Sequence, residues 1–222
     1  FKIYWNKSSI GKLISGKDYL NPGVELLVDD IIEQDQRKKL NNFLQEWVKK
    51  RINTILKSLI ELKDLKEKNS SIKALAYQLY ENNGVLKREN VIEYLKNLGQ
   101  NERKILRDLG VKFGRYHVFL HRLIKPEAVS LRTLLWKNYH QKYFNLKLPT
   151  FGLNFLNDHK INNKDFMLLC GFEKFDKFYV RIDILERLFV QIINSNFKKE
   201  NEIKMTPDML NLLGCNKENF KI

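Results

Sequence analysis

Cysteine is almost missing from this 222-residue chain: Cys170 and Cys215 are the only two. Two thiols exclude a multi-disulfide scaffold and a four-cysteine zinc site, and they fit a reduced compartment in which both are small core residues. Long apolar runs are missing too. No stretch approaches the roughly 18 residues that a spanning helix needs, and no N-terminal segment joins a basic start to an apolar middle and a small-residue cleavage site, so no membrane partner is expected. Catalytic signatures are absent as well, with no GxxxxGK(S/T) phosphate loop, no GxSxG and no HExxH. Acid is scarce relative to base. Forty Lys and Arg stand against 26 Asp and Glu, a net charge of +14.

That excess is concentrated. From Arg103 to Lys147 there are eleven Lys and Arg against two acids, Asp108 and Glu127. A local surplus of this kind attracts polyanions by counterion release and field steering. Its centre is LGVKFGRYHVFLHRLIKPEAVSLRTLLW, Leu109 to Trp136, which reads as a strand followed by a proline-started helix. Here Lys112, Arg115, Arg122, Lys125 and Arg132 alternate with Phe113, Tyr116, His117 and Phe119, giving cations for phosphates and flat faces for bases. The same residues also fit a solvated basic face laid over a core strand. If VKFGRYHVFL is one strand, Lys112, Gly114 and Tyr116 share one side and Phe113, Arg115 and His117 the other.

Along the chain, FKIYW and VELLV read as short strands within residues 1–30, with GKLISGKDYLNPG supplying turns, and the segment either packs on the following helices or joins an upstream domain. Residues 31–144 read as a helical domain. Its first part, from about Asp30 to Lys68, is a long brace helix with Leu40, Phe43, Leu44, Trp47, Val48, Ile52, Ile55, Leu56, Leu59 and Ile60 at three- and four-residue steps, which predicts a buried Trp47. Gly84, Gly99 and Gly110 stop the shorter helices that follow, and Pro126 opens the last one. Residues 145–163, with Pro149 and Gly152, read as a linker. Residues 164–222 form a second small helical unit in which Gly171 stops a helix, Asp183 caps ILERLFVQIINS, and Thr206-Pro207 to Gly214 frame a compact helix. Asn216-Lys217-Glu218 starts another, so this pair is either half of a helix-turn-helix or a simple packing turn. LGVKFGRYHVF and CGFEKFDKFYV match each other, which suggests a unit used twice. The chain opens on Phe1 inside a strand pattern and stops at Ile222 just after a helix start, and so reads as a fragment.

Metal chemistry is not expected. His117 and His121 are four apart, but on a strand they stand well over ~10 Å from each other. Asp29, Asp30, Glu33 and Asp35 suit a helix start, where the dipole and free amides favour acids. Cys170 lacks a basic neighbour at the spacing of an activated nucleophile.

Several of these segments, GKDYLNPGVELLVDD with its following helix, LGVKFGRYHVFL with KPEA, RIDILERL and TPDMLNLLGC, resemble in order the C-terminal half of the alphaproteobacterial superfamily-two helicases similar to the mitochondrial degradosome RNA helicase. The resemblance implies a mainly α fold with short β segments, a helical accessory region lacking its RecA-like motor domains. It also implies a cytoplasmic bacterial protein whose ATP and Mg belong to upstream motors, with no catalytic residue and no cofactor here. The function expected on that basis is contact with single-stranded or duplex nucleic acid, RNA favoured, through Lys112, Arg115, Tyr116, His117, Arg122 and Lys125. The alternative is a helical scaffold binding an acidic protein such as a ribonuclease.

Overall fold

Asn6 and Lys7 both adopt positive φ, the backbone of a two-residue hairpin turn, and they join β1 (Lys2–Trp5) to β2 (Ser8–Ile14). β3 (Gly23–Leu26) completes a three-stranded antiparallel sheet in the order β1-β2-β3. Residues expected to be turn, Gly11 to Ile14, are therefore strand. The computed structural model describes residues 1–28, 33–65, 70–157, 163–175, 178–196 and 205–214. It is mainly α-helical with small antiparallel sheets, as expected, and divides into two units.

The first unit holds residues 1–57 and 126–148. α1 (Gln34–Ile55) buries Leu44, Val48 and Ile52 and packs on β3, close enough to the sheet that a Cβ on Gly11 would stand 3.4 Å from Leu44. α6, residues Pro126–Tyr139, also packs here, tied to α1 by Arg51 to Glu127 at 2.8 Å. Arg132 of that helix is fully buried, so it is not the phosphate-facing cation that its place in the basic run suggested.

The single brace helix is in fact two. α1 ends at Ile55 with Leu56 as its cap, and α2 (Lys57–Lys63) carries Leu59 and Leu62 into the second unit. The hydrophobic period runs on without a fault because it records burial, and both halves are buried, though in different cores. Trp47 is a second correction: it is 49% exposed, and Phe43 one turn before it is 61% exposed. Trp47→Ala is therefore expected to lower stability by less than about 1 kcal/mol, against the roughly 3 to 5 kcal/mol of a core tryptophan. Urea unfolding monitored by circular dichroism gives the number.

The second unit holds residues 58–125 and 149–222, so the chain leaves it at Pro126 and returns. This division cuts across the boundaries drawn along the sequence. α3 (Ser70–Glu81) leads to β4 (Val85–Lys87), a 3-10 turn at Arg88–Val91, α4 (Ile92–Lys96), α5 (Gln100–Asp108), β5 (Val111–Phe113) and β6 (His117–Leu120). The order in the sheet is β4-β6-β5. A second sheet repeats the plan with β7 (Phe155–Asn157), α7 (Lys164–Leu169), β8 (Phe172–Phe175) and β9 (Phe178–Arg181), ordered β7-β9-β8. β7 lies inside the expected linker, so that segment is partly sheet.

The repeat extends to individual hydrogen bonds. Leu120 N–H donates to Gly84 O and His121 N–H to Gly110 O; their counterparts are Arg181 N–H to Asn154 O and Ile182 N–H to Gly171 O. Gly110 and Gly171 occupy the same place with φ of 92° and 86°, the left-handed conformation that ends a helix and turns the chain into a strand. After β9 comes α8 (Ile182–Asn196), where Asp183 lies in the first turn and pairs with Arg181 at 2.7 Å instead of capping the helix. Thr206 accepts from Met209 N–H to cap α9 (Pro207–Leu213), as expected. Asp29, Asp30, Cys215 and the helix start at residues 216–218 lie outside the described residues.

α8 uses two faces. Ile184, Leu185 and Leu188 pack on Met209, Leu212 and Leu213 of α9. Ile182, fully buried, instead joins Val85 and Phe119 of the first repeat. Glu186 and Phe189 follow Ile182 at i+4 and i+7 and continue that second face.

Candidate nucleic-acid interface

The run VKFGRYHVFL is a hairpin. β5 and β6 pair antiparallel, with Lys112 opposite Phe119, and Gly114, Arg115 and Tyr116 form the turn. The expectation of one strand with alternating faces is thus corrected: a turn intervenes, and the side chains on either side of it follow separate alternations. Before the hairpin, α4 and α5 are joined by three residues, Asn97 to Gly99, so the order of elements is that of a helix-turn-helix followed by a two-stranded wing. Gln100, Asn101, Lys104, Arg107 and Asp108 form the exposed side of α5, while Leu106 is buried.

Of the residues expected to touch nucleic acid, Lys112, Arg115, Tyr116, Arg122 and Lys125 are exposed. Arg122 belongs to a 3-10 turn after β6 and Lys125 follows it. Arg115 and Tyr116 are held at the tip by Phe189 of α8, with the guanidinium 5.7 Å from its ring centroid and the Tyr116 ring edge-on at 5.3 Å. Phe113 lies beneath two cations, Arg103 at 5.6 Å and Arg107 at 5.7 Å. The sequence reading missed Lys104 and Arg107, whose spacing on α5 already put them on one helical side.

His117 is a correction. It is 2% exposed and locked between two carboxylates, so it offers no stacking face. Its Nε2 lies 3.1 Å from Glu173 Oε2, and its Nδ1 lies 3.4 Å from Glu186 Oε1, an ionic contact and not a formed hydrogen bond. Glu173 also takes Lys87 Nζ at 2.9 Å. Glu186 accepts the backbone N–H groups of Arg115, Tyr116 (2.9 Å) and His117 (2.8 Å), so its carboxylate holds the wing turn. Arg88 holds the other side, donating through Nη1 to Gly114 O at 2.7 Å and through its backbone N–H to Tyr116 O at 2.8 Å. A Cβ at Gly114 would fall 2.3 Å from the Glu186 carboxyl carbon, so a larger residue there would displace the carboxylate from the turn amides.

Burial is the largest influence on His117 and opposes its charge, but the combined attraction of Glu173 and Glu186 outweighs it and raises the pKa above its ordinary value. Burial likewise pushes both glutamates up. The His117 contact, with Lys87 at Glu173 and three amides at Glu186, overcomes that and holds both below the usual carboxylate range.

Beside the turn is a cleft of about 380 Å³. It is lined by the buried His117 and the mostly covered Glu173, by the apolar faces of Tyr116, Phe175 and Ile92, and by the charged Lys87, Arg88, Arg115 and Glu89. Among the described residues no group of three or more His, Cys, Asp or Glu could hold a metal ion, and no helix is long and apolar enough to cross a membrane. Cys170 is buried beside these sheets, in keeping with a core thiol. No family model, no curated protein and no solved structure matches this chain.

Proposed function

We propose that this chain is a nucleic-acid-contacting accessory region of an ATP-dependent helicase, gripping a strand for motor domains encoded upstream, with RNA favoured over DNA. The observation that carries the reading is the joining of a helix-turn-helix and a wing with an exposed basic surface. From Val85 to Lys125 there are ten Lys and Arg against four acids. Lys104 on α5, Lys112 on β5, and Arg122 and Lys125 beyond β6 are all exposed. Such cations bind phosphates without reading sequence, which suits a grip on a moving strand. The helicase context comes from the sequence resemblance alone.

Replacing Lys104, Lys112, Arg122 and Lys125 together with Gln tests the reading. Removing each cation that binds a phosphate should reduce the slope of log affinity against log salt by roughly 0.7 on a single strand, or about 3 for all four. Folding should change little, because exposed cations contribute little to stability. The measurement is a titration of a labelled single-stranded RNA at several salt concentrations. An unchanged slope removes this surface from nucleic-acid binding, and displacement of the RNA by an acidic protein with a defined one-to-one interface would favour the scaffold alternative.

A further inference from the structure

We infer that the cleft beside the wing receives one unpaired base of a bound single strand, with the adjoining phosphate held at its basic margin. The inference deepens the proposed function and rests on it. It concerns a different part of the surface from the four cations above, and its chemistry is mixed.

Tyr116 and Phe175 line the cleft and are 48% and 44% exposed, two large aromatic side chains that reach solvent on the same cleft. Tyr116 lies in the turn held by Glu186 and Arg88 and packs edge-on against Phe189, while the backbone of Phe175 is set by its place at the end of β8, opposite Phe178 in the ladder. An aromatic face already held in place favours base stacking, because little entropy is lost on binding.

Charge is arranged to match. Lys87, Arg88 and Arg115 line the cleft against one exposed acid, Glu89, a net basic margin where a backbone phosphate would lie if a base entered. Deeper in, Glu173 presents a carboxylate already shared by Lys87 and His117, an acceptor for the N–H edge of a base. A volume of about 380 Å³ suits a single nucleotide and lies at the small end of the range for organic ligands. Duplex cannot use this cleft, since its bases are stacked and paired, and unstacking one costs a few kcal/mol. The cleft therefore selects single strand over duplex, a preference that the exposed cations alone do not supply.

The test compares the wild-type chain, Phe175→Ala and Tyr116→Leu in binding a 12-nucleotide single-stranded RNA and a duplex of the same length. Phe175→Ala is expected to weaken single-strand binding about tenfold at unchanged salt slope, because a stacking face is removed while every phosphate-binding cation stays in place. Duplex binding should be unaltered. Tyr116→Leu keeps apolar bulk without the aromatic face and should behave alike, and far-ultraviolet circular dichroism verifies that both variants are folded. Equal single-strand affinity in folded variants, with the four-cation variant still weakened, overturns the base cleft and leaves the broader reading in place. Equal losses on single strand and duplex also overturn it. If the wild-type chain binds neither RNA, both the cleft and the proposed function fall.

Discussion

Glu186→Ala is expected to lower stability by about 3 kcal/mol and to release the wing. The substitution removes a carboxylate that accepts three backbone N–H groups and faces His117, and its side chain is only 12% exposed. Bonds to a charged group are worth roughly 1.5 to 3 kcal/mol each, but the Arg115 and Tyr116 amides lie near solvent and can be rehydrated, which lowers the total. Urea unfolding measures the loss. Hydrogen exchange at Arg115, Tyr116 and His117 should accelerate in the variant, while exchange in α3 changes only with global stability. A loss below about 1 kcal/mol, or unchanged protection at the turn, would show that Arg88 alone holds the wing.

The same substitution has a signature in pH. Glu173 and Glu186 have lowered pKa values in the folded chain, so their contribution is present above the ordinary carboxylate range and is lost as pH falls through the folded values. His117 has a raised value, so its contribution is full below the ordinary value of 6.5 and is lost as pH rises through the folded one. The cluster therefore stabilises most between those limits. In Glu186→Ala both limbs of the stability profile should be shallower, because one of the two carboxylates facing His117 is gone.

Ile182→Ala should cost about 3 to 4 kcal/mol, since the side chain is fully buried where α8 meets Val85 and Phe119 of the first repeat. Ile124 and Leu168 pack against the same cluster, so the cavity has little room to collapse. Val190→Ala on the same helix, at a residue 55% exposed, serves as the control and should change stability by less than about 0.5 kcal/mol. Comparable effects at the two positions would mean that the repeats are not joined through Ile182.

Local structure was legible wherever local chemistry determines it. Thr206-Pro207 and Gly214 frame α9, Gly110 and Gly171 end their helices, and the match of LGVKFGRYHVF to CGFEKFDKFYV marked two copies of one hairpin plan. Basic surplus and exposed cations were legible too, because charge is seldom buried.

Arg132 and His117 are the exceptions, and they show what a single chain cannot specify. A buried arginine and a histidine between two glutamates depend on partners 56 and 69 residues away in sequence for the histidine alone. Glu186 left one trace: an acid standing at i+4 from Ile182 and three before Phe189, on a stripe whose other members are apolar, must find donors when the stripe is buried. Trp47 went the other way. Helical period gives the side a residue shares with its neighbours but not whether that side is covered, and here Leu44, Val48 and Ile52 are buried while Phe43 and Trp47 are not. Composition, caps and glycines determined the elements and their charge. Which elements meet, and so which side chains form the wing clamp and its cleft, was decided only by tertiary packing, because long-range pairing depends on the joint burial of segments that no local pattern links.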